Sequence, residues 1–131
     1  MNISIYTIYH NLIYLCVIYK MVPPLSDTGF YLLLSLAENP RHGYAILKDV
    51  EILSRGDVVL SVSTLYTSLS RLLAQGLIER FEDGDGLDAP GLPRKSYQLT
   101  SNGRAALRVS AGRMRNMLQA IQLRLGPDDH P

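Results

Sequence analysis

Residues 60–79, LSVSTLYTSLSRLLAQGLIE, decide how this chain is read. Set on a helix from Ser63 to Gln75, the apolar residues Leu65, Leu69, Leu72 and Leu73 follow the i, i+4, i+7, i+8 spacing of one buried stripe. The opposite face carries Ser63, Thr64, Thr67, Ser70 and Arg71: short hydrogen-bonding groups, one positive charge and no carboxylate. A solvated helix face is ordinarily filled with Glu and Lys, because Ser and Thr lose helix propensity. Small donors with an Arg suit insertion into a DNA major groove, where bulk would hold the helix off the base edges and acids would meet phosphates. A merely soluble helix is the other reading of this stretch, so its context has to decide.

Toward the N-terminus, Pro23 and Pro24 cannot occupy a helix interior, and Ser26 or Asp27 supplies an N-cap for a helix running to about Glu38. Phe30, Leu33, Leu34 and Ala37 form its inward stripe, and Asn39-Pro40 ends it. A second helix is predicted from about Gly43 to Ser54, with Ile46, Leu47, Val50 and Leu53 inward and Gly56 as terminator. His42 falls near that helix start as a solvated or capping group. Toward the C-terminus, Gly76 closes the third helix, and LIERFE and KSYQLT read as strands, the second alternating through Tyr97 and Leu99. DGDGLDAPGLPR between them, with three Gly and two Pro, makes a hairpin with a long tip. Its resemblance to a calcium loop fails, because a third acid position and the terminal Glu are missing. Three helices followed by a hairpin is the order of a winged helix-turn-helix, mainly α with a small β-hairpin wing, in which the third helix enters the major groove.

After Thr100, a further N-cap, one long helix runs from about Ser101 to Leu125. Leu107, Ala111, Met114, Leu118, Ile121 and Leu125 alternate at spacings of four and three, the a/d pattern of a coiled-coil seam. About 25 residues make a helix roughly 37 Å long, which overhangs a domain of this size and favours a second copy of the same helix as its partner over the chain's own domain.

With 131 residues and 47% hydrophobic content, the chain can bury one core. The net charge of +1 hides a segregation: Glu79, Glu82, Asp83, Asp85 and Asp88 crowd the wing, and Arg94, Lys95, Arg104, Arg108, Arg113, Arg115 and Arg124 follow. The acidic tip of the wing would repel phosphates, so any contact with DNA falls to Arg94 and Lys95 at its base. Cys16 is the single cysteine, and His10, His42 and His130 lie far apart, so neither a disulfide, a metal site nor a nucleophile with its base is legible. No cofactor is implied and no enzyme is expected. The opening MNISIYTIYHNLIYLCVIYK is interrupted by Asn2, His10 and Asn11, has neither a signal peptide's basic start nor its cleavage site, and resembles nothing that follows. It is expected to be an upstream extension with translation beginning at Met21, and no stable membrane association is expected. The division is therefore an extension at 1–20, a DNA-binding domain at 21–100, a dimerisation helix at 101–126 and a tail at 127–131.

HGYAILKDVE at 42–51, LSVSTLYTSLSRLLAQGLIE at 60–79 and RKSYQLTSNGRAAL at 94–107 together resemble the successive signatures of the PadR family of transcriptional regulators. The Gly43-Tyr44 pair, the Thr64-Leu65-Tyr66 triplet, the Gly76-Leu77-Ile78 helix exit and the Tyr97-x-Leu99-Thr100 strand occur in order at the family's spacing; MarR-like regulators share the fold. The resemblance implies a homodimer, usually a repressor, that releases its operator when a small aromatic or drug-like molecule binds; two reading helices about a two-fold axis suit a palindromic operator, and the single cysteine fits a reducing cytoplasm. Carried onto this chain, it places Ser63, Thr64 and Thr67 at base edges, with Ser70 on the same face, Tyr66 on a phosphate and Arg71 on either. Tyr44 and Lys48 would grip the backbone, unless Tyr44 and Tyr66 are packed on the core. Met114, Met117 and Leu118 could line an effector space, with Phe30 or Tyr31 as its aromatic wall, since the chain has no Trp. A protein-interaction module without sequence-specific DNA binding is the alternative function.

Overall fold

The order along the chain is helix, short strand, two helices, a hairpin and a long helix. The computed structural model describes residues 24–89 and 92–127, with side chains over 24–80 and 95–127. The extension at 1–20 and the tail beyond Pro127 lie outside the described residues.

Helix α1 spans Asp27–Ser35, capped by Ser26, whose hydroxyl accepts the Gly29 N–H at 3.1 Å. It stops three residues short of the expected Glu38. A continuing helix would offer the Ser35 carbonyl to the amide of residue 39, but that carbonyl accepts from Arg41 Nε at 2.8 Å instead. Its inward stripe is Gly29, Leu32, Leu33 and Leu36 rather than Phe30, Leu33, Leu34 and Ala37, which except for Leu33 are only partly buried. The stripe is set one column earlier, with glycine at its head.

Strand β1, Arg41–His42, was not legible as a strand; it pairs antiparallel with the second strand of the wing, Arg41 opposite Tyr97 and His42 opposite Ser96. Two residues carry no periodicity, so only the long-range pairing defines it. His42 occupies the N-cap position of α2, Gly43–Leu53, without a side-chain capping bond; its Nδ1 lies 3.0 Å from the buried Ser96 hydroxyl, so the capping role does not hold. Ile46 and Val50 are fully buried, whereas Leu53, expected inward, is 38% exposed in the last turn. Gly56 ends the helix as predicted, at φ +83°, its N–H bonded to the Glu51 carbonyl. The Ser54 hydroxyl accepts the Val58 N–H at 2.9 Å and shapes the turn into the next helix.

Helix α3 covers Val62–Ala74, one residue earlier than predicted at each end, because Ser61 rather than Val62 caps it, accepting from Thr64 N at 3.1 Å. Leu65, Leu69 and Leu72 are buried and Leu73 packs at their margin. At its exit Gly76 has φ +71°, and the Gly76 and Leu77 amides return to the Leu73 and Leu72 carbonyls, a Schellman closure.

Strands β2, Ile78–Ala89, and β3, Leu92–Leu99, form the wing, in a sheet ordered β1-β3-β2. Both run further than LIERFE and KSYQLT: pairing is regular from Ile78↔Leu99 to Glu82↔Lys95 and resumes with shifted register at Leu87↔Pro93 and Ala89↔Leu92. Irregular pairing absorbs the glycines and Pro93 that read as a loop.

Helix α4, Ser101–Leu125, has the predicted bounds and cap, with Thr100 Oγ1 accepting from Gly103 N at 3.1 Å. The same hydroxyl donates to the Gly76 carbonyl at 2.7 Å, tying the start of α4 to the end of α3. Only its first part is buried, at Gly103, Ala106 and Ser110. No helix among the described residues is long and apolar enough to cross a membrane.

Candidate nucleic-acid interface

The helical core leaves one face of α3 outside. Ser63, Thr64, Thr67, Ser70 and Arg71 are all exposed, and no Asp or Glu lies on the helix. The hydroxyls nearest its start are partly engaged: Ser61 and Thr64 hydroxyls lie 3.0 Å apart, and Thr67 Oγ1 donates to the Ser63 carbonyl at 2.9 Å. Thr67 therefore offers acceptor lone pairs and a methyl group, while Ser63 and Ser70 keep rotatable hydroxyls.

On α2, Tyr44 is 53% exposed and Lys48 sets its ammonium 5.0 Å from the centre of the Tyr44 ring. Core packing of Tyr44 is thereby excluded. The two residues stand one turn apart on the outer side of α2, a polar and cationic pair held by a cation–π contact. Tyr66 behaves differently. It is half-buried against the core, and its hydroxyl faces Gly43 at the first turn of α2. Arg41 is held inward by the Ser35 carbonyl and lies 3.8 Å from Asp49, which removes it from the set of free cations.

Lys95 is half-buried at the base of the wing, and the exposed Arg80 lies on the facing strand. The side chains of Arg94, Asp83, Asp85 and Asp88 lie outside the described residues.

Along α4 the seam divides. Leu107 packs against the chain's own core, whereas Ala111 is exposed and Met114, Leu118, Ile121 and Leu125 are 42%, 50%, 51% and 82% exposed. Phe30 and Tyr31 meet edge to face at 5.5 Å on α1. Among the described residues no cluster of three His, Cys, Asp or Glu could hold a metal.

Beside the cap of α3, two exposed residues escaped the sequence reading, Val59 and Val62, at 67% and 53% exposure. Their periodicity carries no signal, since one precedes the helix and the other opens it. Ser61 was legible in principle, as a Ser three residues before the Thr64 amide it caps.

Among solved structures, the chain is similar to a PadR family transcription regulator from Clostridium difficile R20291, at 24% identity and TM-score 0.63 over 77% of this chain and all of that one. A transcriptional regulator from Clostridium thermocellum matches at 22% identity and TM-score 0.61, over 72% of this chain and 86% of that one. Bacillus subtilis PadR, solved in complex with operator DNA, matches at 24% identity and TM-score 0.52, over 61% of this chain and 44% of its own. No curated protein matches the chain. These likenesses show a shared fold. The model of the transcriptional regulator PadR-like family matches residues 32–109, which run from α1 through α3 and the wing into α4; the chain belongs to that family of transcriptional regulators.

Proposed function

We propose that the chain is a DNA-binding transcriptional regulator acting as a ligand-responsive homodimeric repressor, with α3 as its reading helix in the major groove of a palindromic operator. The observation that carries this is the acid-free outer face of α3, with Ser63, Thr64, Thr67, Ser70 and Arg71 exposed together. Tyr44 and Lys48 on α2, and Arg94 and Lys95 at the wing base, are the phosphate contacts of this reading. Tyr66 contributes through its hydroxyl beside the start of α2, where helix N–H groups favour an anion. The operator complex of Bacillus subtilis PadR supports the same use of the fold.

The DNA-binding domain is 21–100 and the dimerisation helix 101–126. Support for the second comes from the far half of α4, where Met114, Leu118, Ile121 and Leu125 are exposed at seam spacing. Leu107 and Ala111 stand at its inner end. Two copies related by a two-fold axis would present their α3 helices to half-sites about one helical turn apart. An aromatic or drug-like effector held near Met114, Met117 and Leu118, with Phe30 or Tyr31 at its edge, would release the operator by favouring a dimer with a different spacing of the two helices. A regulator of this kind works in the cytoplasm.

The test is a gel shift with the DNA upstream of the protein's own gene. Binding should weaken steeply with salt: Lys48, Arg94 and Lys95 in two copies correspond to a log–log slope of roughly −5. A protein that ignores every duplex but captures a protein partner through α3 would be an interaction module instead.

A further inference from the structure

The start of α3 holds an apolar group that the hydroxyl face does not account for. Val62 is its first residue and is 53% exposed; Val59, three residues earlier, is 67% exposed. Water alone does not favour such a choice. A β-branched side chain is stiff in a helix, and an exposed first turn is stabilised by Asp, Glu or Pro. An acid there would meet phosphates, which explains its exclusion from a DNA-reading helix but not its replacement by valine.

The polar groups around Val62 narrow the possibilities. Ser61 accepts the Thr64 amide, the Ser61 and Thr64 hydroxyls bond each other, and Thr67 gives its hydrogen to the Ser63 carbonyl. The start of the helix thus turns much of its side-chain hydrogen bonding onto itself and presents aliphatic carbon at its leading end. In helix-turn-helix docking the N-terminal residues of the reading helix approach the base edges. The C5 methyl of thymine is the apolar group displayed there in the major groove.

We infer that Val62, flanked by Val59, reads the 5-methyl group of a thymine in each operator half-site. The inference rests on α3 being the reading helix. It makes Val62 a specificity residue whose contribution is packing against one methyl group, with no hydrogen bond involved.

The experiment selects a bound duplex from a random-sequence pool with the full chain, then replaces each thymine of that duplex by deoxyuridine, which deletes the methyl and keeps every hydrogen-bonding atom. One position in each half-site should weaken binding about fourfold, the worth of one buried methyl-sized group. In Val62→Ala the same replacement should have little effect. Val62→Thr, which keeps the branched shape, should fold as the parent does and lose part of the discrimination. Helical circular dichroism and melting of each variant identify any that is misfolded, and Val62→Thr then carries the comparison. Equal binding of thymine and uracil duplexes, a selected site without thymine, or a uracil penalty unchanged in both variants overturns the assignment of Val62 while leaving the reading helix intact. Failure to enrich any duplex overturns the reading helix, and Val62's role with it.

Discussion

The Tyr66 hydroxyl occupies the space beside Gly43 so closely that a β-carbon at position 43 would lie 2.8 Å from it and 3.3 Å from ring carbon Cζ. The contact sets how α2 meets α3, and therefore how Tyr44 and Lys48 stand relative to the outer face of α3. Gly43→Ala should destabilise the fold by about 1 kcal/mol, because the ring has to move out of a packed position. In the Tyr66→Phe background the nearest atom is gone, and the cost of Gly43→Ala should shrink. Urea denaturation of both single variants and the double variant measures that coupling.

Gly103 is a more severe case. A β-carbon there would collide with the Leu77 carbonyl oxygen and lie 2.7 Å from Leu99 Cδ1. Backbone at the exit of α3 cannot yield as a side-chain tip can. Gly103→Ala should cost about 3 kcal/mol, well above the cost at Gly43, and a melting curve no lower than that of Gly43→Ala would contradict it.

Thr100 makes two bonds with one hydroxyl, accepting from Gly103 N and donating to the Gly76 carbonyl. Thr100→Ala removes an N-cap and a tie between helices, and about 1–2 kcal/mol should be lost. Thr100→Ser keeps the hydroxyl and should retain most of that stability in the same thermal scan.

These contacts mark the boundary of what the residues alone disclosed. Leu65, Leu69 and Leu72 recur at helical spacing, Gly76 stands just past the last turn, and Thr100 precedes a long periodic run; each signal is local, so α3, its exit and α4 were legible. What escaped depends on groups distant in the chain. α1 ends at Ser35 because Arg41 takes the Ser35 carbonyl, and β1 exists because Arg41 and His42 find Tyr97 and Ser96. The wing outran its expected strands because irregular pairing tolerates glycine, which propensity reads as loop. At the candidate site, the residue types on α3 pointed outward as expected. Exposure of Tyr44 and the approach of Tyr66 to Gly43 required the packing of α2 against α3.

Arg71 separates a reading helix from an ordinary solvated one. It is exposed and follows the hydroxyl residues on α3, so Arg71→Ala should leave the melting temperature nearly unchanged. Operator affinity should fall by about tenfold or more, since loss of a base contact costs roughly 1–3 kcal/mol in each half-site. If only a phosphate contact is lost, the drop should be uniform across sequences and the salt slope should decrease by about 1 for each copy of the site. Unchanged affinity at moderate salt would assign the cation to solvent.

Leu118 tests the proposed dimer. It lies midway along the part of α4 that the chain's own core leaves uncovered, is 50% exposed, and stands four residues after Met114 and three before Ile121. A glutamate there would cost little in a helix that ends in water, because helix propensity is high and no packing is lost. In a two-stranded seam the same glutamate would meet its symmetry mate in an apolar interface, with two like charges and their desolvation opposing association. Leu118→Glu should therefore sediment as a monomer with undiminished helical content, and operator affinity should fall with it, because a single domain loses the phosphate contacts of the second half-site. A dimer that persists in Leu118→Glu would place the contact between copies on another surface. Loss of DNA binding without loss of the dimer would put Leu118 in the coupling between α4 and the reading helices.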